Sequence, residues 1–333
     1  MVLRVKGRSC KQLLLLIVLC LLFITVASYV VLVGSNKPQA TREVKGHTLA
    51  NYVTQRTTVL SLNTTHTHDK PSGVRAGCIE SQASDGHGDL KFLRQNGYAC
   101  DLGNVDLDAL PDSAIPLTFH SYLDNIDVVC SRKIRAGKIG DGGWEVCDDM
   151  DVRPKSPCTV YSFGINNDFS FDDDVAKLYG CHVFSFDPSM GVKSHNRSDK
   201  VHFFNVGLWG ETGQKHPRFP GWMMYTLKDL KSMLGHTKVD IVKIDIETSE
   251  WMALPNILDT GQLDDVQQLY MEFHAIWNLG RHTILPQLKI FQRLEGLGFR
   301  KFDVHKNVKT PRNIPRFPVG RTKCYEVHYL KRK

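Results

Sequence analysis

Four side chains able to carry a proton or a charge, Asp245, Glu247, Glu272 and His274, lie at the ends of two apolar runs, VDIVKI at 239–244 and QLYMEF at 268–273. Alternation along extended chain sends Asp245 and Glu247 the same way, and Glu272 and His274 the same way. A carboxylate that continues a buried run is costly to keep there unless it is hydrogen-bonded or used. The chemistry these types offer is proton transfer. Glu247 or Glu272 can take a proton from an acceptor if burial raises its pKa, and His274 suits a hydroxyl acceptor near neutral pH. Asp245 is placed to touch cofactor or substrate. A divalent cation among Asp245, Glu247 and Glu272 is the subordinate alternative, and no metal is expected.

A second group surrounds the turn SFGINND at 162–168, which follows another apolar run. Gly164 there lets backbone approach a nucleotide-like ligand. Asp187 ends the next run, about 20 residues on, where an acid commonly binds a ribose hydroxyl pair.

The elements needed to bring these residues together are strands at 159–163, 181–186, 201–206, 239–244 and 268–273. They alternate with helices at 170–179, 226–233, 250–258 and 284–297. That order predicts an α/β fold with a mostly parallel twisted sheet. FRKFDVHKN and KCYEVHYL near the end predict an antiparallel strand pair. Ligands of such sheets sit at the carboxyl ends of the strands, where both groups fall.

The motifs also carry a family resemblance. Ser162 to Asp168 resembles the Asp-x-Gly-Ala-Asn-x-Gly turn of FkbM-type methyltransferases, and Phe186-Asp187-Pro188 is similar to their Phe-Glu-Pro. Residues 242–250, VKIDIETSE, resemble their Ile-Lys-Ile-Asp-Val-Glu-Gly-Ala-Glu, and NVGLWG at 205–210, LYMEFH at 269–274 and LEGLGF at 294–299 continue the match in order. The resemblance covers roughly 157–330 and implies a Rossmann-like class I fold with S-adenosylmethionine as cofactor. The cofactor positions it implies are Ser162, Gly164, Asn166, Asp168, Asp187, Gly207 and Asp245. Two departures stand out: Ser162 replaces a carboxylate that helps hold the amino end of the cofactor's methionine part, and Asp168 replaces a glycine and is expected to crowd the turn. The chain as a whole resembles animal methyltransferase-like proteins of the secretory pathway.

Residues 13–33 contain no charge and are long enough for a membrane helix, with Arg4, Lys6, Arg8 and Lys11 ahead of them. The expected organisation is a cytoplasmic flank 1–12, a transmembrane signal-anchor 13–33, a flexible lumenal stem 34–76, a loop-rich N-terminal cap 77–156 and a methyltransferase domain 157–333. Cleavage of the anchor would yield a secreted form. The remaining 38 basic residues face 35 acidic ones, so nothing marks a nucleic-acid groove, and no nucleic-acid partner is expected. Seven of the nine cysteines follow the anchor, which allows three disulfides and one free thiol of undetermined pairing. None is spaced Cys-x-x-Cys, which argues against structural zinc. Asn63 and Asn196 begin glycosylation sequons. The expected activity is methyl transfer to an oxygen or nitrogen acceptor of unknown identity. The rivals are a catalytically inactive binding module of the same fold and, with Asp172-Asp173-Asp174 misread as a metal motif, a lumenal glycosyltransferase. That acid run is read instead as the first turn of a helix, and Trp144 as core packing.

Overall fold

The computed structural model describes residues 102–103, 105–275, 280–313 and 320–332. The expected anchor and stem, Asn63, Cys78 and Cys100 lie outside them. No helix among the described residues is long and apolar enough to cross a membrane.

The chain runs through α1 (Ala114–Asp124), β1 (Lys133–Ala136), β2 (Trp144–Cys147), β3 (Thr159–Phe163), α2 (Ser170–Tyr179), β4 (His182–Phe186), β5 (His195–Asn196) and β6 (Val201–Phe204). It continues through β7 (Gly207–Leu208), β8 (Met224–Tyr225), α3 (Leu227–Leu234), β9 (Ile241–Ile244), α4 (Glu250–Asp259) and β10 (Gln268–His274). The last elements are α5 (Arg281–Gly296), β11 (Phe299–Lys306), β12 (Pro311–Arg312), β13 (Arg321–Thr322) and β14 (Cys324–Lys331).

Eight strands form one sheet in the order β11-β14-β10-β9-β3-β4-β6-β5. Pairs β3/β4, β3/β9, β4/β6 and β9/β10 are parallel, whereas β14 runs antiparallel to both β10 and β11. The strands nearest the centre are rich in β-branched and aromatic residues and are buried on both faces, as in parallel sheets generally. From β3 the chain steps outward to β4 and β6, then returns to β9 on the other side of β3. The reversal opens a crevice at the carboxyl ends of β3 and β9, the position where open α/β sheets take ligands.

Each face of the sheet carries its own apolar core. Tyr161, Phe163, Val242, Ile244, Met271 and Phe273 point to the side of α1 and α3–α5, while Val160, Ile241 and Tyr270 point to α2 and the β1–β2 hairpin. On this second face some alternate positions are polar, because Ser162 stands in register with Ser185 and Lys243, and Glu272 with Glu326. The described part of the expected loop-rich cap contributes more than loops. Leu102, Ile115, Phe119 and Tyr122 belong to the first core, and Trp144 of the hairpin is buried against Tyr270 and His328 in the second. Alternation in β2, with Trp144 and Val146 inward, makes it part of the domain.

Among the described residues, two disulfides, Cys130–Cys147 and Cys158–Cys181, close loops of 17 and 23 residues, each contributing about 3 kcal/mol through the unfolded chain. Cys324 is a buried free thiol. Asn196 is exposed on the edge strand β5.

Candidate functional site

The turn after β3 is held from several directions. Gly164 has φ +79°, and a Cβ there would lie 1.6 Å from the carbonyl oxygen of Asp245. The glycine therefore serves the close approach of β3 and β9, in addition to any ligand. Asn166 and Asn167 follow at φ 45° and 62°, a region asparagine tolerates better than most residues. Lys243 Nζ donates to the carbonyl of Gly164 at 2.7 Å. Asp187 Oδ2 accepts from the amides of Ile165 and Asn166 at 2.9 and 2.8 Å, and its Oδ1 accepts from the Ser189 amide and hydroxyl at 2.7 and 2.6 Å. Its carboxylate is thus fully engaged in shaping the loop.

Asp168 does not crowd the turn. It is absent from the positive-φ positions, accepts from the Ser170 amide at 3.1 Å and pairs with Lys138 at 2.8 Å. Partial burial opposes its charge, but bonds from Lys138 and Ser170 hold its pKa below the usual carboxylate range. The β1–β2 loop is thereby latched to the start of α2.

Between these parts lies a cavity of about 340 Å³ lined by Gly164, Asn166, Asp168, Asp172, Lys243 and Asp245, with Lys138 at its side. Four of the expected cofactor positions, Gly164, Asn166, Asp168 and Asp245, therefore meet. Ser162 is fully buried in the β3 strand, and neither it, Asp187 nor Gly207 lines the cavity. Asp172 is a residue the sequence reading gave only a helix-dipole role. It is 1% exposed and accepts from Ser185 Oγ at 2.6 Å. Burial raises its pKa, with Lys243 pulling the other way.

The second group gathers beside the first. Asp245 lines the cavity and hydrogen-bonds the side chain of Glu272, whose pKa burial and Asp245 push far above the usual range. His274 Nε2 stands 3.4 Å from Glu247 Oε2 and 3.7 Å from Glu272 Oε2. Its amide and Nδ1 both donate to Oε1 of the fully buried Glu250, at 2.8 and 3.1 Å. Burial opposes a charge on the ring, but Cys324, Glu250 and Glu272 outweigh it and push the His274 pKa up to about 12. Both shifts work against His274 and Glu272 as the base expected of them. Asp245 and the exposed Glu247 are the carboxylates left for that work.

Glu250, Lys243, Asp172 and Cys324 were not among the expected site residues. A lysine inside the apolar run VDIVKI was a signal, since burying it requires partners. Cys324 had none, because only the β10–β14 register places it opposite His274.

A methyltransferase-domain family matches residues 108–331, two thirds of the chain. The chain belongs to that family. The match to this methyltransferase family begins inside the stretch read as a cap, in agreement with the packing of α1 and the hairpin. The probable methyltransferase-like protein 24 of Rattus norvegicus is 25% identical over 235 residues, 64% of either chain. The Homo sapiens protein of the same description is 24% identical over 254 residues, 68% of this chain and 69% of its own. The chain thus spans somewhat less than two thirds of the rat relative. Among solved structures, precorrin-6y C5,15-methyltransferase of Geobacter metallireducens shares 8% identity at a TM-score of 0.27, covering 54% of this chain and 84% of that one. Human methyltransferase 10 domain containing protein shares 14% at 0.28, covering 73% and 93%.

Proposed function

We propose that this chain transfers a methyl group from S-adenosylmethionine to an oxygen or nitrogen acceptor, on the lumenal or outer side of a membrane to which residues 13–33 anchor it. The observation that carries the reading is the cavity at the reversal of strand order, where Asp168, Asp172 and Asp245 surround the glycine turn. Three carboxylates fit the cationic, amino-acid half of that cofactor. Asp172 supplies from α2 the carboxylate that Ser162 lacks on β3. The cofactor brings a methyl group on a sulfonium that needs no activation beyond placement.

The protein's share is positioning and proton handling. Lys243 and Asp187 fix the turn, and the His274–Glu250 pair fixes the neighbourhood of Glu247. Asp245, hydrogen-bonded by Glu272, faces the cavity, and Glu247 accepts the acceptor's proton from the solvent side. Two disulfides and the basic flank before an apolar run support the oxidising, lumenal placement.

The fully engaged Asp187 favours a second reading, a binding module that has lost the usual ribose contact. Calorimetry of S-adenosylmethionine with the purified chain decides between them. Binding together with a loss of about 10²-fold in methyl transfer on Asp245→Asn supports the enzyme. A folded chain that ignores the cofactor supports the module. Protease digestion of the domain in intact microsomes would refute the lumenal placement.

A further inference from the structure

We propose that Glu272, His274 and Cys324 form a binding site for a divalent metal ion of the zinc class, with one coordination position left open. The β10–β14 register sets His274 directly opposite Cys324, and Glu272 lies one alternation before His274 on the same face. One ligand atom from each residue lies within 4.8 Å of the other two. All three are more than nine-tenths buried. Donors about 2.0–2.3 Å from a common tetrahedral centre stand roughly 3.3–3.8 Å apart, and His274 Nε2 is 3.7 Å from Glu272 Oε2.

A separate observation points to a metal. Ligating imidazoles almost always donate their second nitrogen to a carboxylate, a backbone carbonyl or water, which fixes the tautomer. His274 Nδ1 does this to Glu250 Oε1 at 3.1 Å, on a carboxylate with no exposure at all. Nε2 then faces Glu272 Oε2 at 3.7 Å, and a bound metal would displace the proton the ring carries there. Thiol, imidazole and carboxylate together suit zinc, whereas magnesium and calcium prefer oxygen alone. The sequence spacing hid the set, since its members meet through strand pairing. Cys130 and Cys147, beside Asp149, have spent their sulfurs on a disulfide.

Three protein ligands leave the fourth position for water or a ligand. Glu247 Oε2 stands 3.4 Å from His274 Nε2, and Asp245, bonded to Glu272, lines the neighbouring cavity. The ligand class is a hydroxyl or thiol whose pKa a bound cation lowers. Metal binding is measured alone and does not rest on the methyl-transfer reading.

The test uses the full chain purified in detergent, stripped with a chelator and titrated with zinc or cobalt(II). One equivalent of each should bind, and the cobalt form should show thiolate-to-metal charge-transfer absorption. Cys324→Ser, nearly isosteric, should abolish that absorption, and Glu250→Gln should weaken zinc binding 10–100-fold. X-ray absorption on the zinc-loaded parent should find one sulfur neighbour, which keeps the test decisive if a variant does not fold. No stoichiometric zinc, absorption that survives Cys324→Ser, or a sulfur count other than one would overturn the proposal.

Discussion

The carbonyl oxygen of Asp245 occupies the space in which a side chain on Gly164 would have to begin, 1.6 Å from its Cβ. Two strands separated by about 80 residues are thus locked together at their carboxyl ends by the absence of one carbon.

Gly164→Ala should therefore destabilise the domain by about 3 kcal/mol and abolish cofactor binding, through left-handed strain plus a backbone clash. Gly191→Ala provides the comparison. Its φ is +67°, with nothing within 4 Å of the added carbon, so strain alone should cost about 1 kcal/mol. Equal urea midpoints for the two variants would mean that the clash relaxes freely.

Asp187 ties four hydrogen-bond donors to one carboxylate. From its place in the sequence, Asp187→Ala would weaken cofactor binding and leave stability nearly unchanged. Those four bonds predict the opposite ordering. Stranding the buried Ile165 amide and loosening the turn should cost about 2–4 kcal/mol in urea unfolding, with loss of cofactor affinity as a consequence. A variant with parental stability and weakened binding would restore the direct contact.

Much of the sheet was legible because the period-two pattern and turn residues agree locally. The expected first strand coincides with β3, the fourth and fifth cover β9 and nearly all of β10, and helix 170–179 coincides with α2. The site was legible as a set of strand ends. Its finer chemistry was not, because it depends on cross-strand register. Glu272 faces Glu326, His274 faces Cys324, and Glu250 reaches back from α4 to the backbone of β10. None of these is a sequence neighbour, so protonation states that contact imposes could not be anticipated for His274. The described part of the stretch 77–156 holds α1 and β1–β2 as well as loops, because their short apolar patterns are completed only by packing.

If Asp172 replaces the carboxylate missing at Ser162, Asp172→Asn should lower S-adenosylmethionine affinity about 10-fold or more, the scale of one charge-assisted bond. Affinity for 5′-methylthioadenosine, which has no amino-acid half, should be unchanged. Ser162→Ala should alter neither. Parallel losses for both ligands on Asp172→Asn would show that the residue only supports the fold.

Two histidines make the domain sensitive to acid. Burial holds the His328 pKa down to about 3, and burial with Arg321 and Arg312 does the same for His120. The unfolded chain binds protons at these groups near pH 6.5, so their stabilisation is complete above that value and falls as pH drops toward 3. Each contributes a slope of about 1.4 kcal/mol per pH unit in that window. Buried acids with raised pKa, such as Asp172 and Glu326, act in the opposite sense, so the measurement is a difference. His328→Gln, which can still accept from the Glu145 amide now bonded to Nε2 at 3.2 Å, should flatten the curve by one histidine's share. Identical pH profiles for parent and variant would exclude this source.

The backbone just past β9 stores strain that can be released. Glu247 and Thr248 have φ of 54° and 78°, and a β-branched residue in the left-handed region is a true outlier. Such a position costs about 1–3 kcal/mol, while glycine introduces an unfolded-state penalty of about 1 kcal/mol. Thr248→Gly should then raise stability by about 1 kcal/mol, seen as a higher urea midpoint at unchanged slope. The strained pair also turns the Glu247 carboxylate toward His274, 3.4 Å away. A glycine that frees the turn should therefore stabilise the fold while loosening that contact, which would appear as methyl transfer reduced in kcat with cofactor affinity intact. Thr248→Gly that is less stable than the parent would show that the surrounding structure, rather than threonine's tolerance of strain, sets the energy of the turn.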